Sequence, residues 1–205
     1  MVFLTCVTAY GIVRLFKTPA IKKLEGVTNL YETMAKKVEG EINMNNLKLT
    51  RIDFRLIHGQ VMTRWVKEHN IKDIVVIDDK SAKSPILKKI LLSAAPSSVN
   101  VLVESVASAA EKWQASELPK NNLLILFKDP KTAARAWQEG IAYKELQIGG
   151  IEGSGEKKNI NKNIVMSEED VLDLKPLHEN GVRVYGQPIP EDSEYPFESI
   201  LNKFS

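Results

Sequence analysis

Four side chains suited to handling a phosphoryl group lie within eight residues of the chain: Arg51, Asp53, Arg55 and His58. A guanidinium group offers a planar fork of donors that matches phosphate oxygens. A neutral imidazole has a nucleophilic nitrogen and can carry a phosphoryl group covalently. These residue types indicate a phosphate site in which Arg51 and Arg55 hold the oxygens and His58 is the acceptor. The alternative is an ordinary solvated loop.

The flanking sequence predicts where these side chains sit. Residues 47–52 alternate apolar and polar side chains, as a strand does, and residues 60–68 have helical spacing. His58 and Gly59 would then occupy a loop from a strand to a helix. The first turn of a helix has unpaired N–H groups and a positive dipole end, which favour an anion. We therefore expect the backbone at Gly59 and Gln60 to add to the phosphate site.

Other residues have a supporting role in the predicted site, and each has a structural alternative. Asp53 either orients the imidazole or pairs with an arginine and orders the loop, and the pairing is the simpler arrangement. The acidic pair Asp78 and Asp79 forms either a pocket wall or a helix N-cap. The glycines Gly149 and Gly150 permit close backbone approach to a ligand or simply end a strand.

The pattern from residue 47 onward predicts an α/β fold: a single domain with a mostly parallel central sheet flanked by helices on both faces, plus an N-terminal appendage. The chain alternates apolar strands with helical segments, and residues 123–127 form the most apolar strand, which we expect to be central. Residues 152–163 read as an exposed loop. Ser167 caps a helix that Pro176 interrupts or delays. His69 and His178 are expected at the surface, and the three tryptophans in the core.

Composition excludes several classes. The formal net charge is +2, so no strongly basic surface indicates nucleic acid. The single Cys6 excludes an internal disulfide framework and fits a reducing compartment. The three histidines lie far apart in the sequence, without metal-ligand spacing. We predict no metal and no cofactor.

Residues 1–45 are treated as a poorly defined N-terminal extension that need not belong to the native domain. The apolar stretch at residues 2–16 is shorter than a membrane span and contains Arg14. It also lacks the positive charge that precedes a signal peptide's apolar run. Three interpretations stay open: a linker from an upstream domain, an interaction helix, or sequence upstream of a true start at Met44.

The chain resembles the IIB subunits of the mannose/fructose/sorbose-type phosphotransferase system (PTS). The likeness covers residues 46–205, which we take as the domain, and its motifs follow in the expected order. The motifs are Arg51-Ile52-Asp53, Arg55-Leu56-Ile57-His58-Gly59-Gln60-Val61, Ile77-Asp78-Asp79, Ala94-Ala95-Pro96, Ile148-Gly149-Gly150, Ser167-Glu168-Glu169-Asp170-Val171, Gly181-Val182 and Gln187-Pro188-Ile189-Pro190. Phe54 departs from the polar or acidic residue common there, which leaves partner specificity open.

The resemblance implies a cytoplasmic phosphocarrier that associates peripherally with a membrane permease. In such proteins the histidine matching His58 accepts a phosphoryl group from a phosphohistidine of the IIA partner. It passes the group to a mannose, fructose, sorbose or amino sugar taken up through IIC and IID. The implied activity is that of a protein-Nπ-phosphohistidine–sugar phosphotransferase. The sugar, the phosphorylated nitrogen and a homodimer stay open.

Two rival functions use the same residues. A phosphatase or mutase with a phosphohistidine needs an acid for the leaving group, and no second His or Glu beside His58 is evident. A non-catalytic sensor or binding module for a phosphorylated ligand would need only Arg51 and Arg55. Phosphoryl labelling of the protein separates these functions.

Overall fold

The structure is a computed structural model that describes residues 46–59, 61–152, 156–161 and 164–204. The predicted extension 1–45 and the predicted phosphate-binding residue Gln60 lie outside the described residues. A π-helical segment, Val61–Trp65, precedes the first α-helix. In chain order the elements are β1 (Leu47–Asp53), α1 (Val66–Glu68), β2 (Asp73–Ile77), α2 (Asp79–Lys83), α3 (Pro85–Ala94), β3 (Asn100–Glu104), α4 (Val106–Gln114), β4 (Leu123–Phe127), α5 (Pro130–Gln138), β5 (Glu145–Gly150), β6 (Lys157–Asn161), β7 (Ile164–Ser167), α6 (Glu168–Glu179), β8 (Arg183–Gly186), β9 (Tyr195–Pro196) and α7 (Phe197–Leu201).

The main sheet has the strand order β3-β2-β4-β1-β5-β8-β9. Every neighbouring pair in it is parallel except β8 and β9, which run antiparallel. The apolar strand β4 pairs with β1 on one side and β2 on the other, as expected for an inner strand. The predicted α/β fold with a mostly parallel sheet is confirmed.

Two apolar cores lie on opposite faces of this sheet because alternate strand residues point to opposite sides. In β2, Val75 and Ile77 belong to one core, while Ile74 and Val76 belong to the other. Helices α4, α5, α6 and α7 cover the first face, and the π-helical segment, α1 and α3 cover the second. Trp65 and Trp113 are buried in these cores as predicted, and Trp137 packs against the first while partly exposed.

Two element predictions are wrong. Residues 157–161 form β6, which pairs antiparallel with β7, where only an exposed loop was expected. The segment is polar apart from Ile160, which is buried, so its sequence did not indicate a strand. The capping box at Ser167 is present, but α6 continues through Pro176 instead of stopping there. Proline removes one backbone hydrogen bond, and α6 keeps its buried face, with Val171, Leu174 and Leu177, around that loss.

The topology predicts a crevice at the carboxyl ends of β1 and β5. Strand β1 leads to the helices on one face of the sheet, whereas its neighbour β5 leads to β6, β7 and α6 on the other. Where adjacent connections leave toward opposite faces, the strand ends separate and open a ligand-sized cleft. The Arg51–His58 segment ends β1 and therefore lies at this crevice.

Candidate active site

The carboxylate of Asp53 is the centre of the site. It is fully buried at the end of β1 and accepts hydrogen bonds from both neighbouring arginines. Its Oδ2 lies 3.1 Å from Arg51 Nη2, and its Oδ1 lies 3.1 Å from Arg55 Nε. Arg55 Nη2 completes a fork at 3.3 Å from Oδ2. The pairing with both arginines is the arrangement that sequence reasoning favoured for Asp53.

Arg51 lies beneath the loop and is fully buried. Its Nη1 donates to the side-chain oxygen of Gln147 and to the carbonyl of Gln187. Its Nη2 donates to Asp53 and to the carbonyl of Pro188 at 2.9 Å. All four terminal N–H groups are thus used, and only the buried Nε has no partner among the described residues. In this structure Arg51 has neither exposure nor a free terminal donor to offer a phosphoryl group, so its expected role as a phosphate ligand stays a prediction.

Burial lowers the pKa of Arg51 to about 10, and the charge of Asp53 opposes that shift. Arg51 therefore still carries its charge at neutral pH. Its guanidinium carbon lies 5.0 Å from the ring centroid of Trp65, an arrangement that adds a cation–π attraction. The buried cation, the buried carboxylate and the tryptophan together hold the end of β1 in one position.

A missing side chain makes room for Arg51. The pairing of β1 with β5 matches Ile52 to Ile148 and Asp53 to Gly150, which leaves Gly149 as one extra residue. Such a bulge bends the strand locally. A Cβ placed on Gly149 would lie 1.8 Å from Arg51 Nη2, whereas one on Gly150 would meet nothing closer than 3.6 Å. Both glycines lie within β5. The absence of a side chain at Gly149 makes room for the guanidinium group of Arg51.

Arg55 faces outward, in contrast to Arg51. Its side chain is 38% exposed while its fork rests on Asp53. Its guanidinium carbon lies 5.5 Å from the ring centroid of the partly buried Phe54, whose backbone N–H donates to the carbonyl of Gly150. The aromatic ring therefore supports the arginine that faces the crevice. This contact gives Phe54 a structural role beside its open role in partner specificity.

His58 lies within reach of the same carboxylate. Its Nδ1 is 2.9 Å from the carbonyl of Leu56, and because a carbonyl only accepts, Nδ1 bears a hydrogen in this contact. Nε2 is buried without a hydrogen-bond partner among the described residues and lies 3.8 Å from Asp53 Oδ2. The loop is bent by Leu56 itself, whose φ of 55° lies in the left-handed region. This conformation is costly for leucine and is held because Leu56 is buried in the second core.

The turn after His58 differs from the predicted regular helix. The backbone N–H of Met62 donates to the carbonyl of His58, and the hydroxyl of Thr63 donates to the carbonyl of Gly59. The chain then continues through the π-helical segment Val61–Trp65. Gly59 is exposed, and a Cβ there would meet nothing within 4 Å. Single π-helical turns are often found at functional sites.

Sequence reasoning missed the layer that holds Arg51 from below. Gln147 is buried, and its amide donates to the side-chain oxygen of Gln187 at 3.1 Å. The amide of Gln187 then donates to the carbonyl of Asp192 at 2.9 Å, which orders the segment after β8. Arg64 of the π-helical segment forms an ion pair with Glu191, which belongs to the segment after β8. A signal was present, since Gln147 interrupts an otherwise apolar strand between Leu146 and Ile148.

The acidic pair after β2 lies at the same sheet edge but has other contacts. Asp78 caps α2, its Oδ2 accepting from the N–H of Ser81 at 2.8 Å. Asp79 accepts from the N–H of Val106 and pairs with Arg135, and the hydrogen bond from Val106 lowers the pKa of Asp79. The N-cap alternative is confirmed for Asp78. The expected pocket wall that orients Arg51, Arg55 or His58 is not what these carboxylates form.

The other two histidines are less exposed than predicted. His69 is stacked on Trp65 with ring centroids 5.9 Å apart, and burial lowers the pKa of His69. His178 packs against the ring of Phe197 and lies 3.5 Å from Glu198. Among the described residues, no group of three or more His, Cys, Asp or Glu side chains is placed to hold a metal ion. Within those same ranges no helix has the length and apolar character needed to cross a bilayer.

Comparison with known proteins gives the site its context. The chain is 31% identical over 158 residues to the PTS fructose-specific EIIB component of Bacillus subtilis (strain 168), covering 77% of this chain and 97% of that protein. It is 29% identical over 155 residues to the PTS mannose-specific EIIAB component of Escherichia coli (strain K12). That match covers 76% of this chain and 48% of the relative, so this chain spans about half its length.

Solved structures agree with the sequence relatives. The crystal structure of manxB from Thermoanaerobacter tengcongensis superposes with a TM-score of 0.70 at 35% identity, covering 78% of this chain and 98% of that one. Residues 47–205 match the family described as "PTS system sorbose subfamily IIB component". With this match over most of its length, the chain belongs to the sorbose-subfamily IIB components of the phosphotransferase system.

Proposed function

We propose that this chain is a phosphocarrier that accepts a phosphoryl group on His58 and passes it to a sugar. One observation carries the proposal: a single buried carboxylate, Asp53, holds the exposed fork of Arg55 and lies 3.8 Å from the imidazole of His58. A cation for phosphate oxygens and a nucleophile are thereby fixed side by side at the crevice. Membership of the IIB family supports the same reaction.

In the first step a ring nitrogen of neutral His58 attacks phosphorus in line. A new N–P bond forms as the N–P bond of the donor's phosphohistidine breaks, and the donor imidazole leaves with the bonding electron pair. Arg55 and backbone N–H groups at Gly59 and Gln60 stabilise the charge on the equatorial oxygens. Neither ring nitrogen points at an incoming phosphorus in this structure, because Nδ1 contacts the carbonyl of Leu56 and Nε2 faces Asp53. We therefore expect the ring to rotate when the donor docks.

In the second step a sugar hydroxyl attacks the same phosphorus. An O–P bond forms, the N–P bond to His58 breaks, and a base on the membrane subunit takes the hydroxyl proton. The donor would be a IIA protein or domain, and the relative named EIIAB supports this assignment. The sugar would enter through IIC and IID, with this chain in the cytoplasm against that permease. Relatives are named for fructose, mannose, sorbose and N-acetylgalactosamine, so the proposed substrate is a sugar of that group.

Labelling tests the proposal. The purified chain is incubated with radiolabelled phosphoenolpyruvate, the general phosphotransferase proteins and a IIA protein of the same class. We expect a label that is lost in mild acid and kept in base, as for a phosphohistidine. Failure to label with every IIA class while a sugar phosphate still binds would support the sensor function instead. Release of inorganic phosphate without a sugar would support a phosphatase.

A further inference from the structure

Helix α3 presents an unusual outer face. Of the five large apolar side chains that are exposed in the described part of the chain, three lie on this helix. Ile86 is 73% exposed, Ile90 is 57% exposed and Leu92 is 45% exposed. Ile86 and Ile90 are four residues apart and so lie on the same side of the helix. The inner side of α3 is anchored in the second core by Leu91, so this outer face is not required for folding.

Lysines flank these apolar side chains. Lys80 of α2, Lys83 of α2 and Lys89 of α3 are all exposed. None of the three forms an ion pair within the described residues. We call Ile86, Ile90, Leu92, Lys80, Lys83 and Lys89 the α3 surface. It combines apolar groups with positive charge, and Lys83 lies near enough to the carboxylate of Asp79 to interact with it without forming an ion pair.

The nearest acidic side chains are already engaged elsewhere. Asp79 pairs with Arg135 and accepts from the backbone of Val106. Glu104 of β3 pairs with Lys112 and accepts from the hydroxyl of Ser108, while Lys88 contributes a further positive charge near it. Asp79 is therefore shared between Lys83 and Arg135, while Lys80 and Lys89 have no ion-pair partner among the described residues. A complementary partner must supply negative charge.

The α3 surface begins at the edge of the sheet where His58 lies. Strands β1 and β2 are both parallel to β4 between them, so their carboxyl ends meet at one edge. His58 follows β1, while α2 and then α3 follow β2. Ile86, in the first turn of α3, is accordingly at the His58 edge. An object bound to this surface would lie beside the crevice without covering Arg55.

We propose that the α3 surface binds an anionic phospholipid bilayer. Lysine ammonium groups bind acidic headgroups, while isoleucine side chains on a convex helix enter the boundary between headgroups and acyl chains. A second copy of this chain fits less well, because it would bring the same lysines face to face. An acidic protein would satisfy the lysines, but it would need a pocket for the two protruding isoleucines. A fluid bilayer deforms around them without one.

Vesicle sedimentation tests this directly and needs no phosphoryl transfer. The full chain is mixed with vesicles of phosphatidylcholine alone or of an equal mixture with phosphatidylglycerol. We expect binding to the mixed vesicles only, and weaker binding as salt shortens the Debye length from about 30 Å to about 8 Å. Equal binding to both vesicle types, or no binding to either at low salt, would overturn the proposal.

Substitutions show whether vesicle binding depends on the α3 surface. Ile86→Asn with Ile90→Asn removes the apolar part, and Lys83→Gln with Lys89→Gln removes charge. Each pair should weaken binding to mixed vesicles by on the order of tenfold. The matched control, Leu172→Asn with Lys175→Gln, changes an equally exposed apolar residue and lysine of α6 and should leave binding unchanged. Melting temperatures of all three proteins confirm that they are folded.

One outcome would identify a protein partner instead. If the isoleucine pair leaves vesicle binding unchanged but slows phosphoryl acceptance from IIA, the α3 surface contacts that protein, and the membrane proposal fails. If vesicle binding falls while acceptance from IIA is unchanged, the surface serves the bilayer. The loss of vesicle binding can be measured even if His58 is not the acceptor, because the sedimentation assay does not depend on labelling.

Discussion

Gly149 and Arg51 are in direct contact across neighbouring strands, and a Cβ on Gly149 would lie 1.9 Å from the guanidinium carbon. Gly149→Ala must therefore displace the arginine that anchors Asp53. We expect a loss of about 1–3 kcal/mol in the free energy of unfolding, as for other overpacked interiors, and slower phosphoryl acceptance. Gly150→Ala is the matched control, because its Cβ would make only ordinary contacts. Urea unfolding and labelling rates check both, and equal behaviour of the two variants would contradict this account.

Substitution by lysine should affect the transfer rate at Arg55 and the stability of the fold at Arg51. Arg55→Lys keeps the charge but loses the planar fork, so we expect transfer to slow roughly 100-fold, which corresponds to about 3 kcal/mol of transition-state stabilisation. Its stability should change little, because the group is partly exposed. Arg51→Lys should instead lower stability by several kcal/mol, since buried acceptors on Gln147, Gln187 and Pro188 lose their donors.

Single-turnover transfer from phosphorylated IIA, measured per folded molecule beside thermal unfolding, distinguishes these effects. From the sequence alone we expected a smaller rate effect at Arg51 than at Arg55, with both arginines facing the phosphoryl group. An unchanged transfer rate for Arg55→Lys would remove Arg55 from the site. An unchanged melting temperature for Arg51→Lys would show that its buried contacts contribute little.

Replacing the proposed nucleophile should abolish labelling. His58→Ala removes the only imidazole near Asp53 in the described part of the chain, and among the described residues that imidazole hydrogen-bonds only to the carbonyl of Leu56. We therefore expect no acid-labile label and a change in unfolding free energy of about 1 kcal/mol. His69→Ala and His178→Ala should still accept the label, although both side chains are partly buried. Loss of labelling in either of these, with His58 intact, would move the nucleophile.

Stability should depend on pH through His69. Burial lowers the pKa of His69 in the folded state, so the unfolded chain binds a proton more readily. Stability is therefore lost as the pH falls below about 6.5, the ordinary histidine value, toward the lowered value in the fold. His69→Phe keeps a ring against Trp65 but cannot titrate. Urea unfolding at pH 7.5 and pH 5 should show a smaller acid-induced loss in the variant than in the original chain.

A shorter chain that starts at Met44 should fold and accept phosphate as well as the full chain. The family match begins at residue 47, and the two described cores are built from residue 49 onward, with Leu47 packed against one of them. Thermal unfolding and labelling of the two chains side by side check this. A markedly lower melting temperature for the shorter chain would show that residues 1–43 pack on the domain.

The strands of the main sheet were predictable because their burial follows their sequence pattern. Leu123–Phe127 is apolar throughout, and every one of its side chains is buried between helices on two faces. Strand β6 escaped prediction since Ile160 is its only buried residue and lysines and asparagines surround it. Pro176 misled because proline is a strong local signal against a helix, yet packing of Leu174 and Leu177 outweighs one lost hydrogen bond.

Within the site, residue types indicated the chemistry but not the depth of each side chain. Arg51 and Arg55 are four residues apart, and from the sequence both were expected to face the phosphoryl group, with the larger effect at Arg55. Strand alternation places Arg51 on the same side of β1 as the buried Leu49, whereas Arg55 follows the end of that strand. That alternation does not reveal the acceptors of Arg51 on Gln147 and Gln187, because these residues are distant in sequence.

The contacts of Arg51 also have a consequence for how the protein is made. The carbonyls that it holds on Gln187 and Pro188 come 136 and 137 residues later in the chain. During synthesis Arg51 emerges well before these two acceptors, so both contacts form only after the segment that follows β8 has reached the sheet. A chain cut before residue 187 lacks two of the four acceptors that hold Arg51. If His58 is the phosphoryl acceptor, as we propose, only a chain whose segment after β8 has reached the sheet holds Arg51 by all four of these contacts.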